Sequence, residues 1–183
     1  MKKKLIFSLF LLSSIICSSQ TTKTESASIT TKMDAFASKT GIITKFTDSN
    51  LEGLKTTYGA AEARIRKVNS GTITTYFYQI EKEGKYGSST ASIEYSDLLE
   101  IIKAMATLKL ELAKDMVNIP DYLENKFVTV DGFQVGYYIS KGESQWYLKL
   151  EKYGSDNTLF INDPETIESS FNQAKDMILK LKG

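Results

Sequence analysis

The sequence predicts an α+β fold built from two ββββα repeats, each an antiparallel meander packed by a helix. Three observations carry this expectation. The stretch Trp146–Lys182 reads as strand, turn, strand and capped helix. Tyr76–Leu112 repeats that order in weaker form. Turn chemistry at Asn69-Ser70-Gly71 and at Asp131-Gly132 divides what precedes each copy into hairpins.

In the C-terminal copy, Trp146, Leu148 and Leu150 alternate with Tyr147, Lys149 and Glu151. That period belongs to a strand with one buried face. Tyr153–Asn157 supplies turn residues and Thr158–Ile161 a second short strand. Asp163 is placed to cap a helix, Pro164 suits its first turn, and Glu165 complements its positive end. Ile167, Phe171, Ala174, Ile178 and Leu181 then fall on one helical face. In the N-terminal copy Tyr76, Tyr78 and Ile80 alternate likewise. Ile80-Glu81-Lys82 matches Leu150-Glu151-Lys152, and Tyr86-Gly87-Ser88 matches Tyr153-Gly154-Ser155. Ile93 matches Phe160, and Ile101, Met105, Leu108 and Leu112 repeat the helical spacing.

The remaining elements follow in order. Lys2, Lys3 and Lys4 precede an apolar run, Leu5–Ile16, and small residues stand before Gln20. Residues 1–19 therefore read as a signal peptide, similar to Gram-negative bacterial export signals, which implies a periplasmic or secreted protein with no membrane span. A lipid anchor through Cys17 is the rival, with Ile16 where a lipobox has a small residue. Residues 20–40 form a Ser/Thr-rich flexible leader; Met33–Lys39 is either a short helical turn or more leader. A single domain covers 41–183, with halves at about 41–118 and 126–182. Gly41–Phe46 is the first strand and Asp48-Ser49-Asn50 a turn, while Leu51–Tyr58 is either a short strand or irregular. Ala60–Val68, Thr72–Lys82 and Ser89–Tyr95 are strands, and Ser96–Asp115 is a helix that ends before Pro120. Tyr122–Asn125 reads as a helical turn linking the halves. Lys126–Val130 and Phe133–Ile139 flank the Asp131-Gly132 turn, Ser140–Ser144 is the next turn, and Gln145–Tyr153 is a strand.

This order resembles the duplicated ββββα fold of Whirly- and PUR-type single-strand nucleic-acid-binding proteins. The resemblance covers Gly41–Lys182 as element order alone. The Lys-Gly-Lys-Ala signature of the Whirly proteins has no counterpart, since Lys141-Gly142-Glu143 is shorter and acidic, and no functional residue is carried over. The wording of Val130–Lys152 is also similar to that of small exported bacterial proteins of uncharacterised function.

Composition narrows the chemistry. The 183 residues carry 23 basic and 22 acidic side chains and no histidine. Without residues 1–19 the balance is 20 to 22, or −2, which argues against a polyanion-binding surface. Cys17 is the only cysteine, so the chain forms no internal disulfide. The exported chain would hold neither Cys nor His, which excludes cysteine nucleophiles, histidine triads and His/Cys zinc or haem sites. No cofactor and no metal are expected.

Carboxylates remain as candidate catalysts. Glu81 and Glu151 occupy equivalent positions opposite the apolar faces, but nothing pairs two acids across a cleft. With Lys82, Lys149 and Lys152 as neighbours they read as solvated sheet faces. Asp156, Asn157, Asn162, Asp163 and Glu165 form an oxygen-rich cluster without calcium-loop spacing, and turn and cap roles explain each. Ser88, Ser140 with Lys141, and Ser170 lack the spacing of a Ser–Lys hydrolase. Aromatics are the stronger candidates. Phe77, Tyr138 and Tyr147 face away from the apolar sides of their strands and suit a platform for sugars, peptides or bases, to which Arg64 and Arg66 bring charge. The alternative is that these rings are covered by the other half or by a partner. The expectation is an exported binding or interaction module without catalytic activity, its partner an unidentified protein or small ligand. A carboxylate hydrolase acting on extracytoplasmic polymers and a single-strand nucleic-acid binder are the rival classes.

Overall fold

The computed structural model describes residues 30–85, 87–118 and 120–183. The expected signal peptide, Cys17 and Tyr86 lie outside the described residues. In chain order the elements are α1 (Lys32–Ala37), β1 (Thr44–Asn50), β2 (Leu54–Thr56), β3 (Gly59–Ser70), β4 (Ile73–Gly84), β5 (Gly87–Glu94), α2 (Tyr95–Asn118), β6 (Tyr122–Val128), β7 (Gln134–Ser140), β8 (Glu143–Lys149), β9 (Thr158–Ile161) and α3 (Pro164–Lys182). The protein is α+β, with two antiparallel sheets and a helix near each. The first sheet runs β1-β3-β4-β5, with β2 also paired to β3, and the second runs β6-β7-β8-β9.

The helices form for the reasons their sequences give. The Asp163 carboxylate accepts the Thr166 N–H at 2.7 Å and Pro164 opens α3. The buried face of α3 is Ile167, Phe171, Ala174 and Ile178. In α2 it is Leu98, Ile101, Met105 and Leu108. Neither helix serves its own half alone. α2 lies against β4 and β5 and also against β6 and β7, while α3 reaches β2 and β3 as well as β9. Phe171 meets Tyr78 of the first sheet edge-on at 5.8 Å and Phe133, ahead of β7, at 6.3 Å. Ser170 and the Tyr78 hydroxyl share a hydrogen bond at 2.6 Å, and burial pushes that phenol up to about 12. The Tyr137 hydroxyl, from β7, donates to Asp115 of α2 at 2.6 Å. One apolar cluster thus includes both sheets and both helices.

Several expectations need correction. Asp48-Ser49-Asn50 is the end of β1, not a turn, because Asp48, Ser49 and Asn50 pair with Arg66, Ile65 and Arg64. Tyr122–Asn125 is the start of β6, paired with Asn125↔Tyr137 and Tyr122↔Ser140 at its two ends, and not a helical turn. The link between β6 and β7 is a five-residue loop, closed by Thr129 N–H to Phe133 O at 2.9 Å, not a two-residue hairpin. The β7–β8 turn shrinks to Lys141-Gly142, both with positive φ. Of the two readings open for Met33–Lys39, a short helix is found. Its Lys32 N–H donates to Asp131 and its Lys32 Nζ to Asp97, which ties α1 to both halves.

Ile93 and Phe160 are not equivalent. Ile93 is buried opposite Tyr78. Phe160 points away from the core-facing Leu159 and Ile161. Ile93 is the ladder partner of Tyr78, whereas Phe160 is the partner of Tyr147 and Leu159 that of Leu148.

Candidate functional site

One face of each sheet is spent on the core, so any site must use the opposite faces or the seam between sheets. On the first sheet the register places Asp48, Arg66, Phe77 and Glu94 in one outer row, and Asn50, Arg64, Gln79 and Ser92 in the next. These rows are wired together. Arg66 donates twice to Asp48, at 2.8 and 2.6 Å, and the guanidinium holds that carboxyl below its usual range. Arg64 donates to Gln79 at 2.9 Å and to Glu81 at 2.6 Å, and Gln79 passes a hydrogen bond to Ser92 at 2.8 Å. The bond from Arg64 holds the Glu81 carboxyl low as well.

The outer face of the second sheet is built differently. Tyr122, Tyr138 and Tyr147 cross it diagonally on β6, β7 and β8. Tyr122 stacks on Tyr138 at 6.2 Å, and Tyr138 tilts against Tyr147 at 6.5 Å. Phe160 is the ladder partner of Tyr147 and extends the stripe onto β9. The Tyr147 hydroxyl donates to Glu124, which holds that carboxyl low, while burial raises the phenol. Tyr122 is 62% exposed and Tyr147 only 6%.

The stripe leads to the seam. There the Thr57 N–H donates to the Phe160 carbonyl at 2.8 Å and the Thr57 hydroxyl to Asn162 at 2.9 Å, joining the turn after β2 to β9. Lys82 of β4 reaches across to the Asp156 carboxylate and to the carbonyls of Asp156 and Thr158. Between these two bridges lies a groove of about 620 Å³. Glu62, Glu81, Glu83 and Tyr58 line it from the first half, and Asp156 and Phe160 from the second. Tyr58 is 87% exposed. Glu62 and Glu81 are ladder partners on one face, and Arg64 reaches both, at 3.8 and 2.6 Å.

The residues singled out from sequence are therefore divided. Arg64, Arg66 and Phe77 share the first sheet, and Tyr138 and Tyr147 share the second. Phe77 is 0% exposed, because Phe36 of α1 covers it edge-on at 6.2 Å. Both arginines face outward, each bound to acids. Glu151 accepts the Thr90 N–H at 3.1 Å and so stitches the halves together. In the oxygen-rich cluster Asn157 donates to the Glu151 and Tyr153 carbonyls, Asp163 caps α3, and Glu165 pairs with Lys109 at 2.9 Å. Among the described residues no group of three acids, His or Cys could hold a metal ion. Sequence reading passed over Tyr58, Glu62 and Phe160. The one signal for Tyr58 is an aromatic beside Gly59 in a turn, where no core demands it.

No family model matches this chain, and neither a curated protein nor a solved structure does. Among the described residues no helix is long and apolar enough to cross a membrane.

Proposed function

We infer that this protein is a small exported binding module that holds its ligand in the seam groove and along the tyrosine stripe leading from it. The observation that carries the reading is the continuity between the two. Phe160 lines the groove and pairs with Tyr147, which continues through Tyr138 to the exposed Tyr122. Rings offer flat apolar area with few rotors to freeze, and the neighbouring carboxylates accept hydrogen bonds from hydroxyls or amines. An extended ligand with both kinds of surface, such as an oligosaccharide or a cationic peptide, fits that mixture. Export is inferred from Lys2–Lys4 and the apolar Leu5–Ile16.

Binding without chemistry is supported by the pairing of Glu81, which removes it as a proton donor. A hydrolase of this kind needs one carboxyl that keeps its proton. The guanidinium of Arg64 stands between Glu62 and Glu81 and holds the latter ionised. Nucleic acid is disfavoured because the groove is acidic and the outward arginines are already paired.

The two halves are further inferred to descend from one ββββα unit. In support, each first strand lies at a sheet edge, and Ile101, Met105 and Leu108 recur as Ile167, Phe171 and Ala174. The equivalence runs through Leu159, not Phe160.

Binding is tested by titrating a panel of neutral oligosaccharides and Lys-rich peptides into wild type and a Tyr58→Ala/Glu62→Gln variant. One class is expected to bind wild type and to lose at least tenfold in affinity in the variant, with an unchanged melting temperature. Release of shortened product by wild type would sink the non-catalytic reading.

A further inference from the structure

The far end of the β3–β4 hairpin carries a feature that the groove does not use. Ile43 is 90% exposed, and Ile42, Phe46 and Ile73 are each about half exposed. They meet at one corner. The Gly71 N–H, in the β3–β4 turn, bonds the Ile43 carbonyl at 3.5 Å. The side chain of Ile42 lies 3.5 Å from where a Gly71 Cβ would sit. Thr44 pairs with Ser70, which pairs with Ile73, and Phe46 stands two rows on, on the same face, opposite Val68. Four large apolar side chains therefore project from a turn and a strand start; among the described residues no helix or strand is laid over them, and the Arg66 guanidinium lies over the Phe46 ring at 5.8 Å.

The charges around this corner are of one sign. Residues 35–47 contain Lys39 and Lys45 and no acid, and residues 66–76 contain Arg66 and Lys67 and no acid. Lys45 and Lys67 come from the rows on either side of Phe46–Val68, so they leave the opposite face of the sheet from Phe46 and flank the hairpin end from that side. Among the described residues only Arg66 of the four cations is in an ion pair, with Asp48, while Lys39 and Lys67 lie over the rings of Phe36 and Tyr76. Yet residues 30–183 as a whole carry 19 basic and 21 acidic side chains. The long hairpin is thus polarised, apolar and basic at its turn and acidic at the seam roughly 30 Å away at the ordinary rise of a strand.

We propose that this corner docks the protein onto an anionic lipid surface, with Ile42, Ile43, Phe46 and Ile73 entering the headgroup layer and Lys39, Lys45 and Lys67 facing lipid phosphates. Exposed aliphatic residues rimmed by lysine are the chemistry that such a surface binds. A second copy of the chain fits less well, because joining two such corners sets cation against cation. The docked orientation leaves the groove at the other end of the hairpin, facing away from the membrane.

An Ile43→Trp variant of the exported chain, from Gln20 on, reads the insertion directly, because the only native tryptophan, Trp146, is buried. Phosphatidylglycerol vesicles with brominated acyl chains are expected to quench and blue-shift the new indole. Brominated phosphatidylcholine vesicles should leave it unchanged, and a Tyr58→Trp variant should stay unquenched on both. Neutralising Lys39, Lys45 and Lys67 to Gln should lower partitioning onto phosphatidylglycerol about a hundredfold, at roughly fivefold per lysine, with the circular dichroism spectrum retained. The proposal is overturned if residue 43 is not quenched, if it is quenched equally on the neutral vesicles, or if Tyr58→Trp is quenched as strongly. It is also overturned if sedimentation without lipid shows a dimer that Ile43→Ser dissolves, which would give the corner to a second copy.

Discussion

The outer faces of the two sheets start from the same strand pattern and end differently. On the first sheet the face is closed along its middle, short of the hairpin end where Phe46 and Ile73 stay exposed. Phe36 covers Phe77, and Asp48, Arg66, Arg64, Glu81, Gln79 and Ser92 bind one another across four strands. On the second the face is a stripe of rings whose exposure grows from Tyr147 to Tyr122. An outward-facing aromatic is therefore not one kind of residue. Phe77 has no polar tip and is buried by a helix, whereas each tyrosine keeps a hydroxyl for water or for Glu124. A saturated ladder holds a sheet in shape, and an open stripe is available to a partner.

The sharpest way to break this comparison is to truncate one ring on each face. Phe77→Ala is expected to cost about 3–5 kcal/mol, the usual range for a buried phenylalanine. Tyr138→Ala, on a half-buried ring, is expected to cost about 1 kcal/mol. Urea unfolding of both variants checks this, and equal costs would mean that α1 does not close the first face.

A smaller effect is expected at Gly136, which lies opposite both Tyr147 and Lys126 on the open face. A Cβ there would sit 2.3 Å from the Asn125 carbonyl and 2.7 Å from the Lys126 Cβ. Gly136→Ala should therefore push β6 away at about 1–3 kcal/mol, the range for overpacking. Amide hydrogen exchange should show the loss in β6 before any loss in β1 or β3. Uniform destabilisation would contradict the local origin.

What was legible beforehand follows from how local each signal is. The two long helices declare themselves through a face repeated every three or four residues and through a cap at Asp163, and both were found within three residues of the expected ends. β1 was misread because Asp48, Ser49 and Asn50 are turn formers by habit. Their strand geometry is imposed by β3, whose Arg66 claims Asp48. The start of β6 is hidden because Glu124, Asn125 and Lys126 give an edge strand too little apolar alternation to stand out. The candidate site was legible only in part. Tyr138 and Tyr147 could be placed on one face by parity, but the closure over Phe77 comes from a helix some forty residues upstream. The seam groove brings Tyr58 beside Phe160 because the neighbouring Thr57 N–H bonds the Phe160 carbonyl, a contact that no local pattern records.

The next expectation concerns acid. Asp48 and Glu81 on the closed face are held low by Arg66 and Arg64, and Glu124 on the open face by Tyr147. A carboxyl whose folded pKa is depressed contributes stability above its unfolded value of about 4, and loses it as pH falls through the folded value. Stability should thus decline below about pH 4. Arg66→Gln should flatten that decline by releasing Asp48, and Tyr147→Phe should flatten it by releasing Glu124. Urea midpoints between about pH 5 and about pH 2 separate the two. The closed face, with its two arginine-bound acids, should supply the larger share, and a larger effect from Tyr147→Phe would reverse the assignment of which face is the structural one.

The smallest change is expected at Tyr122, where structure and binding should come apart. Its ring is mostly exposed and rests on Tyr138 alone among the aromatic neighbours described. Tyr122→Ser should shift stability by no more than about 0.5 kcal/mol, as exposed substitutions usually do. If the stripe is a binding surface, the same change should still weaken whichever ligand class the groove accepts, and by less than Tyr58→Ala/Glu62→Gln does. A variant as stable as wild type and binding as tightly would confine the site to the groove and leave the tyrosines a role in the sheet alone.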